Sequence, residues 1–183
     1  GKSTVVFNLG KALTDSGKKV LIVDSDMRKS VMAGRNTSAQ SHSGLSEVLT
    51  GMCPITECLY PVVNSKMHIL FAGQYPPNPV ELLNGKYFAA LINECRKVYD
   101  YIIIDTPPLG QVIDAAVVAE KCDGAVMVLG NSKVHYRMAQ EVIEQIKKSG
   151  CKMLGVVRNN RKQSNRKYYY RKYYHHDSKS KKK

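Results

Sequence analysis

This chain contains no tryptophan and only three phenylalanines, so its core has to be filled mainly by aliphatic side chains. No apolar run approaches the roughly 18 residues of a membrane-spanning helix, which predicts that the chain itself does not cross a bilayer. There is no CxxC pair. The five cysteines (Cys53, Cys58, Cys95, Cys122 and Cys151) are odd in number and scattered, which argues against a disulfide framework or a zinc site and for reduced thiols in a cytosolic protein. No signal peptide is visible, and the chain opens on Gly1 rather than Met, which reads as a fragment or a processed product. Acidic residues are few: 15 against 28 Lys and Arg. What remains, 183 residues that are 43% hydrophobic and 23% charged, is the composition of one globular domain.

The net charge of +13 is unevenly placed. Arg158 to Lys183 holds eleven basic residues and one acid, Asp177, whereas the preceding 157 residues are close to balanced. Residues 1–158 therefore read as the domain and 159–183 as a disordered basic tail. Such tails are either solvated or meet nucleic acid, anionic lipid or an acidic partner.

Helix-like and strand-like segments alternate. Val5 to Ser16 has helical spacing, closed by Gly17. Lys19–Asp24 (KVLIVD), His68–Ala72, Tyr101–Asp105 (YIIID), Gly124–Leu129 (GAVMVL) and Leu154–Val157 are short apolar runs of the kind that form buried parallel strands. Helices are expected from Pro79, over Tyr87–Val98, Ala115–Glu120 and His135–Lys148, and a polar loop over 30–43. This order predicts an α/β fold, a parallel sheet flanked by helices.

In open α/β sheets ligands bind beyond the carboxyl ends of the strands, so the residues just past each strand are the informative ones. After the first run comes Asp24-Ser25-Asp26-Met27-Arg28; after YIII comes Asp105-Thr106-Pro107-Pro108; and the chain opens with Gly1-Lys2-Ser3-Thr4 at a helix start. Singly, each acid is as readily a helix cap or a turn residue. Together they supply what a nucleoside triphosphate needs: amides and a lysine for phosphate, a hydroxyl and carboxylates for magnesium, in P-loop order. GKST is then the remainder of a G-x-x-x-x-G-K-[ST] loop whose opening, with the strand leading into it, would precede residue 1.

The segments Leu21–Arg28, (apolar)₃-D-x-D-x-R, and Ile102–Pro108, (apolar)₃-D-x-P-P, together with Gly44–Gly51 and Pro76–Leu83, resemble the bacterial tyrosine kinase (BY-kinase) family. These are autokinases of capsule and exopolysaccharide synthesis and deviant P-loop ATPases related to the MinD/ParA group. The resemblance implies ATP and Mg²⁺ as cofactors. It implies that Gly1, Lys2, Ser3 and Thr4 hold phosphate, with Lys2 on the β- and γ-phosphates. Ser3, Asp26 and Asp105 serve the metal, Asp105 through water. Asp24 orients or deprotonates the attacking tyrosine, whose phenol, with a pKa of ~10, is a poor nucleophile at neutral pH. Arg28 steadies phosphate charge or pairs with a nearby acid, and Asn159 reads the base or simply ends its strand.

The tail then has a role. Tyr168, Tyr169, Tyr170, Tyr173 and Tyr174 are the implied phosphoacceptors. Each phosphotyrosine adds roughly −1.5 to −2 charges, so a fully modified cluster would about cancel the tail's positive charge. Arg171 and Lys172 interrupt the cluster, where many relatives carry small residues. His175 and His176 lack a third ligand and read as solvated. The resemblance further implies a cytoplasmic protein held at the inner face of the membrane by a transmembrane activator of the polysaccharide co-polymerase type. It also implies a homo-oligomeric ring, leaves room for external protein substrates, and involves no nucleic acid. On this reading residues 1–183 alone bind ATP poorly. The competing readings are a MinD/ParA-type ATPase switch whose tail binds membrane or DNA, and a non-catalytic scaffold. The tyrosine cluster and the D-x-D-x-R motif weigh against the first, and the full set of Lys2 and three acids against the second.

Overall fold

Val20–Asp24 is a strand with every residue buried, and the rest of the domain is arranged around it. The computed structural model describes residues 1–28, 43–107, 112–130 and 136–159. The expected loop over 30–43 lies almost entirely outside these residues, as do Pro108, the start of the helix expected at His135, and the whole tyrosine-bearing tail. In chain order the elements are α1 (Lys2–Asp15), β1 (Val20–Asp24), α2 (Leu45–Leu49), α3 (Ile55–Cys58), β2 (Leu59–Pro61), β3 (Met67–Leu70), α4 (Pro79–Asn84), α5 (Lys86–Arg96), β4 (Tyr101–Asp105), α6 (Val112–Ala119), β5 (Gly124–Leu129), α7 (Tyr136–Lys148) and β6 (Lys152–Arg158).

β1 pairs in parallel with β3 on one side and β4 on the other, and side chains alternate along it. Leu21 and Val23 face a cluster with Leu70, Leu83, Phe88 and Ile92, which seats α4 and α5. Val20 and Ile22 face the opposite way with Met67 and Phe71, against Val6 and Leu13 of α1. The result is the expected three-layer α/β arrangement. Gly10 lets α1 approach closely: a Cβ there would lie 2.8 Å from Met67 Sδ and 3.1 Å from Ile22 Cδ1. Gly17, at φ 87°, turns the chain from α1 into β1.

Two features depart from the sequence-based expectation. The sheet is not purely parallel, because β2 runs antiparallel to β3. Three residues ending in proline carry no periodic signal, and β2 lies at the sheet edge, where proline is tolerated. The sheet is also not continuous. Four strands run in the order β2-β3-β1-β4, and β5 and β6 pair in parallel as a separate two-stranded ribbon, covered by α7 through Val142, Ile146, Met127 and Cys151. Between β4 and β5 lies a slot of about 500 Å³. α5 reaches across one end of it, Arg96 donating to both carboxylate oxygens of Asp123 at 2.9 and 3.0 Å.

α2 is tied to the strand ends by Glu47, whose carboxylate accepts hydrogen bonds from the amides of Gly44 (2.7 Å) and Gln74 (3.1 Å) and from the Ser46 hydroxyl (2.9 Å). These donors hold the Glu47 carboxyl below its ordinary range despite the opposing effect of burial. Gly44 itself packs against backbone: a Cβ there would lie 2.5 Å from Gly73 N and 2.8 Å from Gly73 Cα, and would also meet the Phe71 carbonyl. Backbone cannot swing aside as a side chain can. Gly44→Ala is therefore expected to cost about 1–3 kcal/mol, read as a lower urea midpoint.

All five cysteines are free thiols. The fold nevertheless brings Cys53 and Cys58 together, sulfur to sulfur at 3.1 Å. Burial, with Cys53 beside it, pushes the Cys58 thiol up to about 12. Brief treatment with a maleimide at neutral pH is thus expected to label half-buried Cys53 ahead of Cys58, as read by peptide mapping.

Candidate active site

β1 and β4 are in register through their last residues, so Asp24 and Asp105 end adjacent parallel strands side by side. Both are buried, at 1% and 4% exposure, and Asp26 lies beside them at 9%. Carboxylates are seldom this buried without partners. Asp24 Oδ1 accepts the Asp26 amide at 3.0 Å, fixing the turn that presents Asp26. Ser25 clamps the two strand ends: its amide and its hydroxyl both donate to the Asp105 carbonyl, at 2.8 and 2.7 Å. Ser25 has no place among the residues expected from the sequence; its position between two strand-end aspartates is the signal that points to it.

α1 starts at the same end of the sheet. Ser3 hydrogen-bonds the Asp105 carboxylate, and the Lys2 ammonium acts on it electrostatically. Burial is the largest influence on Asp105 and raises its pKa above the ordinary 3.8; the neighbouring Asp26 charge adds to this, while Ser3 and Lys2 oppose it. Gly1 is the N-cap of α1 and offers no side-chain cap, and no acid occupies the first turn, so nothing within the helix itself complements its positive end. Asn159, just past β6, donates from Nδ2 to the Gly1 carbonyl at 3.2 Å, and its amide donates to Leu129 O at 2.8 Å. This brings the ends of β5 and β6 to the start of α1.

Of the residues singled out from the sequence, Gly1, Lys2, Ser3, Asp24, Asp26, Asp105 and Asn159 thus gather at one end of the sheet. Thr4 is exposed on the first turn of α1, and Arg28 is exposed two residues beyond Asp26. The five tail tyrosines lie outside the described residues. Among the described residues no three His, Cys, Asp or Glu side chains form a metal cage. Magnesium does not need one: it is commonly held by one or two carboxylates, water and substrate phosphates. A hydroxyl on a buried carboxylate, a second acid, a lysine and an uncapped helix start are a donor set that fits a magnesium–polyphosphate pair. Among the described residues no helix is long and apolar enough to cross a membrane.

The family described as AAA domain matches residues 1–153. The chain is 38% identical over 159 residues to the tyrosine-protein kinase CpsD of Streptococcus pneumoniae serotype 4, covering 87% of this chain and 70% of that protein. Among solved structures, the VpsO kinase domain superposes with a TM-score of 0.81 at 32% identity, covering 88% of this chain and 79% of the other. MinD of Pyrococcus horikoshii OT3, complexed with Mg-ADP, gives 0.70 at 25% identity, with 85% and 63% covered. With its strand-end acids, its GKST helix start and these matches along most of its length, the chain belongs to the bacterial tyrosine-protein kinase family.

Proposed function

We propose that this chain is the catalytic domain of an ATP-dependent protein-tyrosine autokinase, that its acceptors are the tail tyrosines 168, 169, 170, 173 and 174, and that it acts in capsule or exopolysaccharide synthesis. The observation that carries the reading is the in-register pair Asp24 and Asp105, with Ser3 and Lys2 at the start of α1 acting on the Asp105 carboxylate. The uncapped amides of α1 and Lys2 bind the phosphates. Ser3 and Asp105, with Asp26, hold the magnesium ion, which when bound neutralises charge on the transferring phosphoryl group. Asp24 accepts the proton of the incoming tyrosine hydroxyl. Asn159, held at Gly1, borders the nucleotide from the β6 side. Arg28 lies beyond Asp26, where it steadies phosphate charge. The family likeness supports a transmembrane activator as partner and a position at the inner membrane face, with self-association into a ring placing one tail in a neighbouring site.

The test is direct. Full-length protein with its activator's cytoplasmic end is incubated with Mg-ATP, and modified residues are mapped by mass spectrometry. Phosphate on the tyrosines between 168 and 174 is the expected result. ATP hydrolysis without phosphotyrosine would instead assign the chain to the MinD-like ATPase switches, whose fold it shares.

A further inference from the structure

Outside the active site, the fold brings two thiols together where α2, α3 and β2 meet. Only Pro54-Ile55-Thr56-Glu57 separates Cys53 from Cys58 in the chain. Cys53 closes the turn that follows α2, and the amides of Met52 and Cys53 fold back onto the Glu47 carbonyl at 2.9 and 3.4 Å. Cys58 is the last residue of α3, and Leu59 directly after it opens β2. The single turn of α3 carries Cys58 back to Cys53, and its S–H donates to Cys53 Sγ at 3.1 Å. Sulfurs bonded in a disulfide are ~2 Å apart, so the pair needs about 1 Å of further approach, a distance that side-chain rotation covers.

The two thiols differ in access. Cys58 is fully buried, in a cluster with Leu45, Leu49 and Leu70. Cys53 is half-buried, and Met52 and Pro54 on either side of it are exposed. Pro54 O and the Glu57 carboxylate lie 3.6 and 3.7 Å from Cys53 Sγ, and Glu57 is itself exposed. A reagent arriving from solvent therefore meets Cys53 and is kept from Cys58. Burial also holds Cys58 in its protonated form at neutral pH, so its part falls in a second step, where contact with Cys53 makes up for low nucleophilicity. A reachable thiol with a second thiol directly behind it is the arrangement of a reacting and a resolving cysteine.

We propose that Cys53 and Cys58 form a reversible thiol–disulfide site that is oxidised by small disulfides of the glutathione class. In the first step the Cys53 thiolate attacks one sulfur of the small disulfide. Its S–S bond breaks, and the departing thiolate takes up the proton that Cys53 gave. In the second step Cys58 attacks Cys53 Sγ in the mixed disulfide, and the second small thiol leaves with the Cys58 proton. Two protein thiols lose two electrons, and one small disulfide becomes two thiols. Reduction runs the same steps backwards. In a reducing compartment such a pair is redox-sensing rather than structural. The new bond ties the turn after α2 to the start of the edge strand β2. Glu47 anchors that turn through its carbonyl, and its carboxylate holds Gly44 and Gln74 past the end of β3, so the staple closes on the unit that braces the strand ends. The inference rests on the thiol geometry and on no part of the kinase reading.

The experiment equilibrates full-length protein in buffers of graded reduced and oxidised glutathione, with and without enough urea to unfold it. Samples are quenched in acid and alkylated, and the Cys53–Cys58 link is quantified by peptide mapping. The expected result is an equilibrium constant for forming the link at least about tenfold larger in the folded protein than in urea, because the fold already holds the sulfurs in contact. By linkage, oxidation then favours the folded state by the same factor. Glutathione should pass through Cys53 only, and it should accumulate there in a Cys58→Val variant. An equal or smaller constant in the folded protein would show that the fold resists the bond and would overturn the proposal. So would glutathione that stays on Cys53 beside a reduced Cys58, first modification at Cys58, or a link from Cys53 to a second chain. The comparison with urea uses the unsubstituted protein, so it decides the matter even if Cys58→Val fails to fold.

Discussion

Asp24→Ala is expected to remove tyrosine phosphorylation by a factor of about 10²–10⁴, the range associated with losing a positioned proton acceptor. The substitution is not clean, because Asp24 Oδ1 also holds the Asp26 amide at 3.0 Å in a site where Asp24 is 1% exposed. Alanine leaves that amide without this acceptor and loosens the turn that presents Asp26. Asp24→Asn separates the two contributions. The asparagine carbonyl still accepts the Asp26 amide but cannot take a proton at neutral pH. If both variants lose phosphotyrosine while retaining nucleotide binding in a filter assay, Asp24 is the base. If Asp24→Asn keeps most of the activity, its role is to hold Asp26 in place. Phosphopeptide mapping of the tail under Mg-ATP reads both variants.

The second large effect belongs to Asp105, and it divides activity from stability. Asp105→Asn is expected to weaken Mg²⁺-dependent nucleotide binding by roughly 10–100-fold, the usual consequence of losing a carboxylate that orients a metal through its outer shell. The same change should stabilise the metal-free fold at neutral pH. Burial raises the Asp105 pKa above 3.8, so the folded state retains this proton to higher pH than the unfolded chain. As pH rises from the ordinary carboxylate range through the folded-state pKa, the unfolded chain ionises first and stability falls. Above that window the penalty is complete; below the ordinary carboxylate pKa it vanishes. Thermal unfolding of Asp105→Asn in chelator should therefore give a higher midpoint than the parent at pH 7.5, and the difference should close as the pH falls below about 4. A variant less stable at neutral pH would mean that Ser3 and Lys2 outweigh burial at this carboxylate.

Much of this architecture is legible in the sequence alone, for identifiable reasons. KVLIVD, YIIID and GAVMVL are unbroken apolar runs, and a buried parallel strand has little other way to appear in a sequence. The acids that end two of them are legible because the fold class places ligands there. Other features carry no local signal. α2 and α3 have five and four residues, too few to show a helical period, and β2 has three. The Ser25 clamp and the Glu47–Gln74 bond are made across the chain, from residues whose types are common in any turn. The gap in the sheet is the least legible of all, because strand pairing depends on partners far apart in sequence and both bordering strands look like interior ones.

The Asp24–Asp105 register carries a consequence for biosynthesis. Ser25 and Asp105, which lock the two strand ends together, are 80 residues apart in the chain. At ribosomal rates of roughly 5–20 residues per second, β1 waits about 4–16 s for β4 to be made. During that interval Asp24 and Asp26 have no Asp105 beside them, and the end of the sheet proposed to hold the metal does not exist. Phosphoryl-transfer competence is therefore a property that a nascent chain acquires late and all at once, so ribosome-stalled or prematurely terminated products lacking β4 carry the GKST motif without the means to use it.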